Sequence, residues 1–319
     1  MSKLSFDTIN KTLSDLKFSS LIFTIDNYGN YTPLDSDWNY KDVPHLNIVH
    51  KNVESVQALV ADEAVGSINF QKIPFLGFSI PMVLVNYEYD AFNQIYLGSF
   101  GPYILVANTI TDNASLKTKI STKFAIYSKG VFKYLHKFIK NSIIKNNKIL
   151  MSEDVPMRER RFSLRRKHCH DFYFPGQTYS FKFTEEIYRA NVFIKNGKSS
   201  VQVDKAKIIN SCENDILGED DGLLSFFVTK NNNVKYLWPR TCPHEGAELN
   251  NKCIIKGRVL CPWHHRRISP LVEIKDEKIK INPSIDYSII EDGSNLSFTF
   301  RNNPEYYNTL PYEIFKKNV

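Results

Sequence analysis

The chain has 319 residues, enough for about two domains, since single cores rarely grow beyond roughly 250 to 300 residues. With 42% hydrophobic and 24% charged residues it reads as a folded globular protein rather than a disordered or membrane chain. The net charge of +7 and the basic run RERRFSLRRKH, 158 to 168, raise a nucleic-acid partner, but acidic residues are dispersed throughout and no nucleic-acid motif accompanies the run. No nucleic-acid partner is expected, and the run suits a basic face that docks an acidic electron carrier. No apolar stretch approaches the roughly 18 residues that span a bilayer, and MSKLSFDTINKTLSDLK is polar where a signal peptide has its apolar core. A cytoplasmic protein without a membrane span is therefore expected. Five cysteines, an odd number mostly clustered beside histidines, argue for metal binding in a reducing compartment rather than a disulfide framework.

In chain order, an amphipathic helix is expected around Phe6 to Leu16, followed by the polar, turn-rich DNYGNYTPLDSDWNY. KDVPHLNIVHKNVESV then predicts a short helix, with Asp42 as N-cap and Pro44 in the first turn. From Gln57 to Tyr127, segments such as PMVLVNYEY, QIYLGSF, YILVANTI and KFAIYS alternate with Gly, Asn and Asp and predict an antiparallel sheet. Val131, Leu135, Phe138, Ile139, Ile143 and Leu150 recur at three- and four-residue intervals, predicting a long amphipathic helix from about Gly130 toward Met157. Pro-Gly in CHDFYFPGQT, 169 to 178, marks a boundary. Beyond it SFKFTEEIYRANVFIKN, VQVDKAKII, LLSFFVTKNNNVKYLW and LVEIKDEKIKI read as a small all-β module. The expected fold class is α+β, with domains at 1–172 and 173–319.

Within the second half, TCPHEGAELNNKCIIKGRVLCPWHH holds Cys242-x-His244, sixteen residues, then Cys261-x-x-His264. Each short turn offers one thiolate and one imidazole. Structural zinc usually takes paired ligands at C-x(2 to 4)-C and H-x(3 to 5)-H spacing, which C-x-H fits poorly. A mixed iron-sulfur cluster fits better, because two thiolates can hold one iron and two imidazoles the other. Cys169, Cys212 and Cys253 have no assigned role and are expected to be small buried residues. In the first half, Asp42-x-x-His45-x(4)-His50 offers a second histidine pair, and ILMSEDVPMRERR offers Asp154 as a carboxylate. Two histidines and one carboxylate make the facial triad of mononuclear non-heme iron. Residues five apart lie about 140° apart on an ideal helix, so convergence of His45 and His50 needs a local widening or bend.

CPHEGAEL followed by CPWHHRR resembles the Rieske 2Fe-2S signature, with Pro243, Gly246 and Pro262 standing where tight loops pack around such a cluster. The resemblance implies that Cys242, His244, Cys261 and His264 bind a 2Fe-2S cluster. Where that family usually has Gly after the last ligand, this chain has His265. The absence of a second cysteine in each loop implies a cluster closer to those of oxygenases and their ferredoxins than to those of respiratory chains. DVPHLNIVH and Asp154 resemble the stretches by which Rieske-type ring-hydroxylating oxygenases bind mononuclear Fe(II), which implies His45, His50 and Asp154 as ligands. The same resemblance gives Asp42 a catalytic role, bridging His264 to His45, in an arrangement that commonly joins subunits of a homotrimer. The first half also looks like the START-like, or SRPBCC, helix-grip superfamily, placed here before the Rieske domain, whereas typical oxygenases have the reverse order.

The implied function is an oxygenase, mono- or dioxygenase, that takes electrons from a ferredoxin or flavin reductase through the cluster to the mononuclear iron. There it would oxidise a hydrophobic organic substrate with O2. The alternative is a Rieske ferredoxin-like carrier fused to a lipid- or small-molecule-binding START-like domain without mononuclear iron. Structural zinc is the third reading.

Overall fold

The structure, a computed structural model, describes residues 5–31, 33–42, 45–61, 64–72, 79–90, 93–112, 118–168 and 200–301. The described residues up to Glu159 form one compact unit and those from Arg160 onward a second. The expected boundary at 172/173, Cys169 and the predicted strand SFKFTEEIYRANVFIKN lie outside the described residues.

In the first unit, α1 (Phe6–Asp15) starts where the Ser5 hydroxyl accepts the Thr8 N–H, an N-cap that satisfies one of the helix's orphan donors. β1 (Ser19–Gly29) follows, then α2 (Pro33–Lys41), α3 (Leu46–Val49), β2 (Val53–Ala61), β3 (Ala64–Lys72), β4 (Ser79–Asp90), β5 (Asn93–Phe100), β6 (Tyr103–Asp112) and β7 (Thr118–Ser128). A 3-10 turn at Gly130–Leu135 leads into the long helix α4 (His136–His168). The strands form one seven-stranded antiparallel sheet in the order β1-β7-β6-β5-β4-β3-β2. β2 to β7 is a meander, with β1 added beside β7. The chain must therefore cross from one edge of the sheet to the other between β1 and β2, and α2 and α3 lie on that crossing.

Opposed residues across the ladders share a face, which sorts the sheet into two surfaces. Asn86, Tyr96, Ala107, Phe124 and Phe23 form one continuous row. Phe23 stacks on Phe124 at 5.3 Å on this face, and Ile139, Ile143 and Ile144 of α4 pack against them. The opposite face packs Ile95, Val106, Ala125 and Tyr127 under Phe6, Ile9 and Leu13 of α1. An antiparallel sheet packed on a long helix agrees with the expectation.

Three expectations are corrected. DNYGNYTPLDSDWNY is not a turn-rich loop: β1 runs through Gly29, and α2 begins at Pro33 with Asp35 in its first turn. The buried face of α2 includes Asp35, Ser36 and Asn39 beside Trp38, so no apolar periodicity announces it. Val131, Leu135 and Phe138 do not face the core but are 51–74% exposed, and it is Ile139 and Ile143 that pack inward. α4 also runs past Met157 to His168, with Pro156 inside it.

The second unit comprises β8 (Ser200–Asp204), α5 (Lys205–Asn210), β9 (Ile216–Gly218), β10 (Ser225–Asn231), β11 (Val234–Pro239), β12 (Ile254–Ile255), β13 (Arg258–Leu260), β14 (Arg267–Ile268), β15 (Val272–Lys275), β16 (Lys278–Ile281), β17 (Tyr287–Asp292) and β18 (Asn295–Phe300). They make sheets of five, three and three strands. KAKII, expected as strand, is the helix α5, because Asp204 accepts the Ala206 N–H as its N-cap. The β10–β11 and β15–β16 hairpins turn on Asn232-Asn233 and Asp276-Glu277, each pair at positive φ, the geometry that matches strand twist. Phe226 of β10 meets Phe298 of β18 at 4.5 Å and Tyr287 of β17 at 6.0 Å, joining the five-stranded sheet to the β17-β18-β8 sheet in one core.

Phe226 is fully buried, so Phe226→Ala is expected to destabilise the second unit by about 3–5 kcal/mol. Ile290→Ala, at an exposed position, is expected to change stability by less than about 0.5 kcal/mol. Denaturant midpoints of the two variants check the contrast; equal losses would mean the core is elsewhere.

Candidate metal centres

The crossing between β1 and β2 carries the first candidate centre. Asp42 does not cap α3: its N–H bonds the Trp38 carbonyl, completing the last turn of α2, and the N-cap of α3 is His45, without a side-chain cap. α3 is only four residues long, and His50 beyond its end is extended at φ −86, ψ 117. His45 and His50 therefore need no widened helix to converge, because the helix ends between them. Their rings lie 5.1 Å apart at 66°.

Asp154 of α4 completes the group. His45 Nε2 and His50 Nε2 each lie 3.4 Å from Asp154 Oδ1, and all three residues are buried. Neither contact has hydrogen-bond geometry, and the three converging atoms make no hydrogen bond within the structure. The opposite ring nitrogens are held by carboxylates. Asp42 Oδ2 lies 3.4 Å from His45 Nδ1, which also contacts the Asp42 carbonyl, and His50 Nδ1 donates to Glu153 Oε2 at 2.8 Å. With Nδ1 fixed this way, loss of the other ring proton to a metal would leave Nε2 as the ligating lone pair.

Arg158 stands behind Asp154 at 3.7 Å, its guanidinium fully buried. It donates to Asn39 Oδ1 at 2.7 and 3.0 Å and to the Tyr31 hydroxyl at 3.3 Å, and lies over the Tyr40 ring at 4.7 Å. Without a metal the group is a charge cluster. Burial resists protonation of His45, but Asp154 and Asp42 outweigh it and lift its pKa to about 10. Burial, reinforced by the His45 charge, holds His50 below its ordinary value despite Asp154. Burial works against ionised Asp154 too, yet the His45 contact keeps it below the usual carboxylate range.

The second candidate centre lies in two turns of the second unit. Cys242-Pro-His244-Glu-Gly246 follows β11, and Cys261-Pro-Trp-His264-His265 joins β13 to β14. The turns share one hydrogen-bond frame. Gly246 N–H bonds the Cys242 carbonyl at 2.9 Å, and His265 N–H bonds the Cys261 carbonyl at 2.8 Å. Cys242 N–H bonds the Ala247 carbonyl at 2.7 Å, and Cys261 N–H bonds the Arg266 carbonyl at 2.8 Å. Gly246 has φ 93 and His265 φ 52, so His265 occupies the left-handed position that the other turn gives to glycine.

The two cysteines are buried, and the rings of His244 and His264 lie 5.1 Å apart. Burial opposes ionising either thiol. At Cys242 the Cys261 hydrogen bond and the Arg266 charge outweigh it and bring the thiol down to about 7, whereas burial and the neighbouring Cys242 hold Cys261 well above the usual thiol range. Buried Glu245 lies with Oε2 3.5 Å from His264 Nε2. Arg160 braces the first turn, donating to Asp221 at 2.7 Å, to Thr241 Oγ1 at 2.9 Å and to the Gly246 carbonyl at 3.3 Å.

Within the basic run 158–168, Arg158 and Arg161 are buried and Arg160 is committed to the Cys242 turn, so these three do not contribute to the expected docking face; the side chains of 165–168 lie outside the described residues. Glu153, Arg158, Arg160 and Glu245 were not foreseen. Glu153 adjoins Asp154 and Glu245 adjoins His244, so nearness to a proposed ligand was the signal available for those two. Of the other cysteines, Cys253 is half-buried and Cys212 exposed, the latter against the expectation of burial.

No protein-family model matches the chain, and no curated protein matches it. Among solved structures it is similar to the di-domain aromatase/cyclase BexL from the BE-7585A biosynthetic pathway, at TM-score 0.40 and 10% identity, covering 44% of this chain and 50% of that one. The chain thus spans half of BexL's length. It is also similar to the Zhui aromatase/cyclase from Streptomyces sp. R1128, at TM-score 0.40 and 8% identity, covering 45% of this chain and 96% of that one. A START superfamily protein from Mycobacterium smegmatis is similar at TM-score 0.35 and 7% identity, covering 41% and 94%. Likenesses of this size say nothing about activity.

His265→Gly relieves a left-handed conformation that costs an L-residue about 1–2 kcal/mol and is expected to raise the stability of the second unit by about 1 kcal/mol. A lowered denaturation midpoint would show instead that the His265 side chain holds the turn.

Proposed function

We propose that the chain is a Rieske-type non-heme iron oxygenase. The observation that carries this reading is the convergence of His45 Nε2, His50 Nε2 and Asp154 Oδ1 in a buried pocket of charge, without a hydrogen bond among them. Two imidazoles and one carboxylate are the donor set of an open-sided ferrous site. The donors of the second unit, two neighbouring thiols and two imidazoles on turns of equal shape, fit a 2Fe-2S cluster with mixed ligation. When bound, these groups would supply one-electron transfer and oxygen activation.

The chain's own residues have definable tasks in that chemistry. Asp42 and Glu153 hold the Nδ1 sides of His45 and His50 and so keep both Nε2 atoms aimed at one point. Arg158 fixes Asp154 from behind and offsets its charge, while burial of all three donors excludes bulk water. Cys242 and Cys261 would supply the thiolates of a cluster, and the Arg266 charge favours ionisation of Cys242. A ferredoxin or flavin reductase as electron donor, a hydrophobic organic substrate and a homotrimer belong to the same reading.

The favoured alternative keeps the cluster without mononuclear iron, as an electron carrier joined to a ligand-binding domain. Iron and acid-labile sulfide on anaerobically purified protein separate the two. About three irons and two sulfides per chain are expected, and Asp154→Ala is expected to remove about one iron while the red-brown colour persists. Two irons after ferrous reconstitution, unchanged by Asp154→Ala, would leave the carrier. Zinc without sulfide would overturn both.

A further inference from the structure

We infer that the segment Lys129–Phe138 is a docking surface for an anionic lipid membrane, on which the first unit lies without crossing it. The 3-10 turn and the start of α4 carry Val131, Phe132, Tyr134, Leu135 and Phe138, all between 43% and 77% exposed. Such a concentration of large apolar side chains in eight positions is unusual on a soluble surface, where they occur singly.

The exposure is built in rather than a frayed end. His136 turns inward, its Nε2 2.7 Å from Ser128 Oγ, and the Tyr103 hydroxyl donates to the Phe132 carbonyl at 3.3 Å. Tyr103 also meets the Phe132 ring edge-on at 6.1 Å. With the backbone pinned to the sheet at both points, the apolar side chains are held outward.

Charge selects the occupant. Lys129, Lys133, Lys137, Lys140, Lys145 and Lys148 interleave with the apolar residues, and no Asp or Glu occurs between Asp112 and Glu153. Lys129, Lys133 and Lys137 are exposed. A partner protein core would be met by apolar groups with few charges, whereas aromatic and aliphatic side chains among lysines, in a stretch of sequence without acids, match the acyl boundary and headgroups of an anionic leaflet. Lysine stems can lie along the apolar surface while their ammonium groups reach the phosphates. No helix of the described residues is long and apolar enough to cross a membrane, so the contact is interfacial.

Co-sedimentation of the full chain with vesicles tests this, comparing phosphatidylcholine alone with phosphatidylcholine containing about one-fifth phosphatidylserine at about 0.1 M salt. Binding to the anionic vesicles is expected to be at least about tenfold stronger and to weaken with added salt. Leu135→Glu with Phe138→Glu is expected to abolish it. Lys133→Gln with Lys137→Gln, which leaves the apolar residues in place, is expected to reduce it about tenfold on anionic vesicles only. Unchanged thermal unfolding would show that both variants fold. Absence of vesicle binding, or equal binding by wild type and the Glu variant, would overturn the inference. So would self-association that the Glu variant abolishes without any vesicle binding, which would assign the patch to a second copy of the chain.

Discussion

Asp154 sits in a buried site with two imidazoles at 3.4 Å and a guanidinium at 3.7 Å, and the first unit is arranged around that charge. An ionised carboxylate without partners in such a place would cost several kcal/mol. The compensation comes from two regions far apart in sequence, residues 31–50 and α4. The α2–α3 crossing brings Asn39, Asp42, His45 and His50, α4 brings Glu153 and Arg158, and the end of β1 leads to Tyr31, whose hydroxyl accepts from Arg158. The crossing exists because β1 and β2 occupy opposite edges of one sheet. Topology thus delivers the histidines, and the long helix delivers the carboxylate.

The second unit solves a different problem, holding two thiols and two imidazoles on turns rather than on helices. Equal hydrogen-bond frames at Cys242 and Cys261 make the turns interchangeable in shape while their sequences differ, and His265 bears the conformation that Gly246 takes without strain. The turns rest on a rigid base. Phe226 and Phe298 lock two sheets together, and Arg160 ties the first turn to Thr241 and Asp221.

Ligand-type residues were legible in the sequence because their spacing is local: C-x-H and C-x-x-H each sit within one turn, and the histidines five apart flank one short helix. The sheet from β4 to β7 was legible because its aromatic and β-branched strands are punctuated by turn residues. What failed shares a physical cause, since periodicity reports a stripe but not what the stripe faces. Val131, Leu135 and Phe138 carry helical spacing yet point to solvent, whereas α2 buries Asp35, Ser36 and Asn39 beside Trp38. The supporting charges escaped for a related reason. A run of arginines looks like a basic surface until the fold buries Arg158 against Asn39 and Tyr31, and Glu153 gains meaning only when α3 brings His50 to within 2.8 Å.

The most direct test of two metal centres in one chain is a crystal structure with anomalous difference maps collected on both sides of the iron absorption edge. The account predicts iron density at two places, one among His45, His50 and Asp154 and one among Cys242, His244, Cys261 and His264. Iron confined to the cysteine turns, with ordered water or an empty contact beside Asp154 after ferrous loading, would contradict it.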